Sequence, residues 1–105
     1  MKLIKCDNYF ILKLEKVTSL NLLIEFLKKN LQLCPNIIID TMSFDFSEHD
    51  IANKLRAFHL NWEKRNKSFI LVSNIDKKSL KNIISLNSLE EAIDFLHMEE
   101  LTRSI

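Results

Sequence analysis

Few residues in this chain have the type and spacing that chemistry requires. His49, His59 and His97 are too scattered to form a metal cluster. His49 and His59 stand ten positions apart, which puts them on different sides of a helix. His59 and Glu63 are one helical turn apart and could pair, but a surface pair contributes little. A metal-dependent ribonuclease of the metallo-β-lactamase type needs a dense His/Asp motif, and none is present. Cys6 and Cys34 have no partner at close spacing, and a disulfide framework or a zinc site needs more. Both are expected as free thiols, buried or half-buried. The chain contains no glycine. Phosphate-cradling loops need a backbone that reaches positive φ and approaches its ligand closely. Their absence excludes the P-loop, the dinucleotide fingerprint and the nucleophile elbow of serine hydrolases. No catalytic residue, cofactor or metal is expected, and the chain is read as a protein without chemistry of its own.

The densest group of polar residues runs from Phe44 through Asp45, Phe46, Ser47, Glu48 and His49 to Asp50. Ser47 can accept from backbone N–H groups at a helix start, and Asp50, three residues on, can return the bond. Phe44 and Phe46 flank Asp45. Exposed, they would anchor a partner; buried, they would plug the top of the core. Two basic clusters, Lys64-Arg65-Asn66-Lys67 and Lys77-Lys78-Ser79-Leu80-Lys81, read by default as solvated faces. They could also attract an acidic partner. The acidic last helix (Glu90, Glu91, Asp94, Glu99, Glu100) opposes them in sign, so a homodimer held by complementary charge is a further option that high salt would dissociate.

These residues sit in an ordinary globular composition. The chain has 105 residues, 47% hydrophobic and 28% charged, with net charge +1. That fits one domain over residues 1–105, large enough to bury a core without disulfides. The balanced charge gives no reason to expect a nucleic-acid partner, whose phosphates reward a basic excess. The start, Met1 to Asp7, lacks the apolar run of a signal peptide, and runs such as Ile37 to Ile39 are far too short to cross a bilayer. A cytoplasmic protein without a membrane partner is expected.

The periodicity predicts a strand over Tyr9 to Glu15, with a shorter strand over residues 2–6 joined to it by a turn at Asp7-Asn8. Thr18 or Ser19 caps a helix whose stripe is Leu20, Leu23, Ile24, Leu27 and Leu31, and Pro35 ends that unit. Ile37-Ile38-Ile39-Asp40 predicts a central strand covered on both faces. Ser47 opens the next helix, with Ile51, Leu55, Phe58 and Trp62 buried and Lys54, Arg56, Glu63, Lys64 and Arg65 wet. Trp62 continues the core stripe, which favours packing over an interface role. Ser68 to Ser73 is a second buried strand. Asp76 caps a short helix with Leu80, Ile83 and Ile84, and residues 84–86 can add a brief edge strand. Ser88 caps the last helix, whose inner face is Leu89, Ala92, Ile93 and Leu96. Alternating strands and helices predict an α/β fold with a mixed, mostly parallel sheet of about four to five strands and about four helices.

This order resembles the STAS fold, the family of anti-sigma-factor antagonists and of the cytoplasmic domains of sulfate transporters. The resemblance rests on Ile37-Ile38-Ile39-Asp40, the helix from Ser47, the strand Phe69-Ile70-Leu71-Val72 and the tail Ser88-Leu89-Glu90-Glu91-Ala92-Ile93. The longer ending, from Glu91 to Leu101, is similar to small stand-alone STAS-like proteins of the Bacteroidetes group. The resemblance implies a protein-interaction module. Its partners would be a regulatory kinase, a phosphatase or another STAS-like protein. In the family, an Asp-Ser-Ser-Gly segment precedes the helix after the central strand, and a kinase phosphorylates a serine there. Counted back from Ile51, that serine falls on His49 and the glycine on Asp50, and the loop from Asp40 is one residue shorter. Ser47 is the nearby hydroxyl that could substitute, with Ser43 more remote. A phosphate on Ser47 would add about −1.5 to −2 charges beside Asp45, Glu48 and Asp50. Three readings therefore stand: helix capping alone, a fixed acidic recognition surface, or phosphorylation of Ser47.

The expected contact surface is the loop from Met42 to Asp50 and the helix through Lys54. The rival expectation is a ligand pocket at the carboxyl ends of Ile37–Asp40 and Phe69–Ser73, where open α/β sheets bind ligands.

Overall fold

The computed structural model describes residues 1–15, 19–33, 35–42, 48–74, 80 and 82–104, and of residues 19 and 48–51 the backbone alone. Three consecutive isoleucines can all be buried only in a strand with cover on both faces. Strand β3 (Ile37–Asp40) meets that demand, with all three fully buried. It is the middle strand of a five-stranded sheet ordered β1-β2-β3-β4-β5. The others are β1 (Lys2–Lys5), β2 (Phe10–Lys13), β4 (Phe69–Val72) and β5 (Ile84–Leu86). β1 pairs antiparallel with β2, and every other pairing is parallel.

The helices are α1 (Ser19–Lys29), α2 (Glu48–Lys64) and α3 (Leu89–Ser104). Alternate strand residues face opposite sides. Leu12, Ile37, Ile39, Phe69 and Leu71 pack with Leu20, Leu23 and Leu27 of α1 and Leu55 and Trp62 of α2. Ile11, Ile38, Ile70 and Val72 pack with Ala92 and Leu96 of α3. The sheet is thus a layer between two helices and one.

Local chemistry explains the boundaries. Ser88 Oγ accepts from the Glu91 backbone N–H at 3.1 Å, the cap expected for α3. The β1–β2 turn closes with Cys6 N–H donating to the Tyr9 carbonyl at 2.9 Å. Among the described residues only Asn66 has positive φ, 57°, so Asp7 and Asn8 do not use the primed turn common in hairpins. Asn66 does the work of the missing glycine at the end of α2. Its N–H donates to the Glu63 carbonyl and that of Lys67 to Trp62, the paired bonds of a Schellman stop.

Some expectations need correction. Leu31 lies past the end of α1 and is 37% exposed, so the α1 stripe stops at Leu27. Ile84 belongs to β5, not to a helix. Phe58 and Arg56 are both half-buried. The described residues hold three helices rather than about four; the expected helix from Asp76 falls, apart from Leu80, largely outside them.

Candidate functional site

A parallel sheet has two chemically different ends, and this one shows what each can offer. At the carboxyl end, β3 leaves the sheet through a fixed exit. The Thr41 N–H and hydroxyl both donate to the Val72 carbonyl at 2.9 Å, and Asp40 Oδ1 accepts from the Met42 N–H at 3.0 Å. Met42 is 43% exposed. The buried hydroxyls of Ser73 and Ser85 bond each other at 2.8 Å and join β4 to β5 at the same end. Helix α2 then begins at Glu48, and Lys54 in its second turn is exposed.

Most of the expected contact residues cannot be placed further. Phe44, Asp45, Phe46 and Ser47 lie outside the described residues. For Glu48, His49 and Asp50 the helical backbone is described and the side chains are not. Cys34 and the basic stretch Lys77 to Ser79, with Lys81, also lie outside. So does the region just past the carboxyl ends, residues 43–47 and 75–79, where the rival pocket was expected.

The amino end of the parallel strands holds a polar network. Asn36, one residue before β3, is buried; its Oδ1 accepts from the Ser68 N–H at 2.9 Å and its Nδ2 donates to the Asn8 carbonyl at 3.0 Å. Arg103, in the last turn of α3, donates from Nη2 to Ser68 Oγ at 3.2 Å and to Asn36 Oδ1 at 3.5 Å. Asn8 also donates to both carboxylate oxygens of Glu100 at 2.7 Å, tying the hairpin to α3. Beside this network lies a cavity of about 280 Å³ between the last turns of α2 and α3, lined by His59, Glu63, Lys67, Asn82, Glu99 and Arg103 among others.

His59 sits in that wall, buried, with its ring edge-on to Phe69 at 5.9 Å. Burial pushes its imidazole below the ordinary value, and the charge of Glu63 pulls it partly back. The expected surface pair of His59 with Glu63 is therefore half right: Glu63 is exposed and acts by its charge, but the histidine is a core residue. Trp62 packs as expected, fully buried and edge-on to Phe69 at 5.6 Å. Glu99 is half-buried, and its Oε1 is shut off from solvent with no hydrogen-bond partner among the described residues.

Cys6 is a half-buried free thiol. Tyr9 beside it is raised by burial, by its hydrogen bond with Cys6, and by the charges of Cys6 and Asp7. Among the described residues no group of three or more His, Cys, Asp or Glu could hold a metal, and no helix is long and apolar enough to cross a membrane.

Asn36, Ser68 and Arg103, and the cavity beside them, are not among the residues that spacing and residue type pick out. A polar residue directly before an all-isoleucine strand was the available signal for Asn36, since a buried amide there must meet partners.

No protein-family model and no curated protein matches the chain. Among solved structures, RsbS of Moorella thermoacetica, in a form carrying a serine-to-glutamate substitution, superposes with a TM-score of 0.69 over 97% of both chains at 17% identity. RsbS is a STAS-domain protein. With the five-stranded mixed sheet between α1/α2 and α3, the chain has a STAS-like fold.

Proposed function

We propose that the chain is a single-domain, non-catalytic protein-interaction module that acts in regulation as anti-sigma-factor antagonists do. Its contact surface runs from Met42 through Phe44, Asp45, Phe46, Ser47, Glu48, His49 and Asp50 to Lys54. The partner is a protein: a regulatory kinase, a phosphatase or another STAS-like protein. The observation that carries the reading is the placement of the α2 start. It follows the anchored exit of the central strand at Asp40-Thr41, in a fold shared with RsbS. N–H groups at a helix start favour negative charge, and the sequence puts Asp45, Glu48 and Asp50 around the start of α2. The motif is degenerate at the position where the family carries its phosphorylated serine, so the acidic residues act as a permanent recognition charge. Ser47 is the residue a kinase could still modify.

Capture of partners from the native cell tests this. Wild type, Ser47→Ala and the triple variant Asp45→Asn/Glu48→Gln/Asp50→Asn serve as baits. A protein should be retained by the first two and lost with the third. Equal recovery by all three would reject the acidic surface; loss with Ser47→Ala alone would show that the hydroxyl is the switch.

A further inference from the structure

The cavity between the ends of α2 and α3 lies at the opposite end of the strands from the proposed contact surface and is independent of it. Its volume, about 280 Å³, is that of a small metabolite and below the range of most drug-sized sites. Its charges balance. Glu63 and Glu99 bring two carboxylates, Lys67 and Arg103 two cations, and Asn82 an amide that donates and accepts. A simple anion or a simple cation would meet as much repulsion as attraction in such a wall. A molecule carrying both charges meets neither problem.

Two details assign the poles. Glu99 has a carboxylate oxygen shut off from water with no donor among the described residues, so that oxygen lacks a hydrogen-bond partner. A cationic group in the cavity would supply one. Arg103, one turn further along α3, is held by Ser68 and Asn36, both through Nη2, among the described residues. A guanidinium fixed in this way can present its remaining N–H groups to a carboxylate at low entropic cost. The edge-on rings of His59 and Phe69 add an aromatic wall for the rest of the molecule.

We propose that this cavity binds a small zwitterion of the free amino-acid class, its ammonium toward Glu99 and Glu63 and its carboxylate toward Arg103 and Lys67.

Amide NMR titration of the full chain tests this. The probes are the standard amino acids one at a time, each with the matching amine lacking the carboxylate and the matching acid lacking the amine. At least one amino acid should shift the amide signals of Lys67, Asn82 and Arg103 saturably at concentrations up to about 10 mM. Both one-charge analogues should bind at least about tenfold more weakly, and Glu99→Gln and Lys67→Gln should each weaken binding about tenfold without lowering the melting temperature. Three results would each overturn the proposal: no saturable shift with any amino acid, equal binding of either analogue, or unchanged affinity in both variants. Both variants keep Arg103 and its bonds to Ser68 and Asn36, so a loss of binding is not a loss of fold.

Discussion

The indole N–H of Trp62 donates to the carbonyl of Pro35 at 2.7 Å, joining the last turn of α2 to the entry of the central strand. Trp62 is fully buried, so both the ring and its one donor are committed. Trp62→Phe keeps an aromatic ring but leaves the Pro35 carbonyl without its donor and opens a gap. Urea unfolding should show a loss of about 2–4 kcal/mol. A loss below about 0.5 kcal/mol would mean that the bond carries no weight.

Asn36 holds three parts of the chain at one point. It accepts from Ser68 before β4, donates to Asn8 in the hairpin turn and receives Arg103 from α3. Asn36→Ala strands two backbone groups at once and should cost about 2–4 kcal/mol in the same assay. Arg103→Met removes only the outer donor and should cost about 1 kcal/mol. If the two variants cost the same, the network is not centred on Asn36.

Burial lowers the His59 pKa from the ordinary 6.5, so the folded protein holds this ring neutral where the unfolded chain would protonate it. Below pH 6.5 the unfolded state binds more protons, and stability must fall as pH falls. The contribution of His59 is complete above the unfolded value and is lost on acidification. Melting temperatures between about pH 8 and about pH 5 should drop in the wild type and drop less in His59→Phe. Glu63→Gln removes the charge that raises the pKa and should steepen the fall. An unchanged slope in His59→Phe would assign the pH dependence elsewhere.

Asn66 stands at φ 57° in a chain without glycine. The left-handed conformation costs a residue with a β-branched side chain about 1–2 kcal/mol, while glycine adopts it freely. Asn66→Val should lose that amount in thermal unfolding, and Asn66→Gly should lose nothing. Equal losses would show that α2 does not need this stop.

Much of the fold was legible because it follows from local patterning. Three β-branched residues in a row demand a doubly covered strand, and Ile37–Ile39 occupy the sheet centre. Ser88 before Glu91 marks a helix start, and the cap is present. The amino-end network was not legible, because Asn36, Ser68 and Arg103 are brought together across 32 and 67 residues of chain. His59 illustrates the same limit. On its helix alone it reads as a surface partner of Glu63, and only the arrival of Phe69 from β4 makes it a core residue. The contact surface was read from charge and capping at Ser47 to Asp50; Ser47 and the side chains of Glu48, His49 and Asp50 lie outside the described residues, and of that stretch the structure gives the α2 backbone from Glu48.

The account turns on which end of the sheet meets another protein. Hydrogen exchange of the chain alone and in complex with its captured partner measures this directly. The prediction is slowed exchange across residues 42–54, with the amides around Lys67, Asn82 and Arg103 unaffected. Slowed exchange confined to those amino-end amides, or no protection over 42–54, would contradict it.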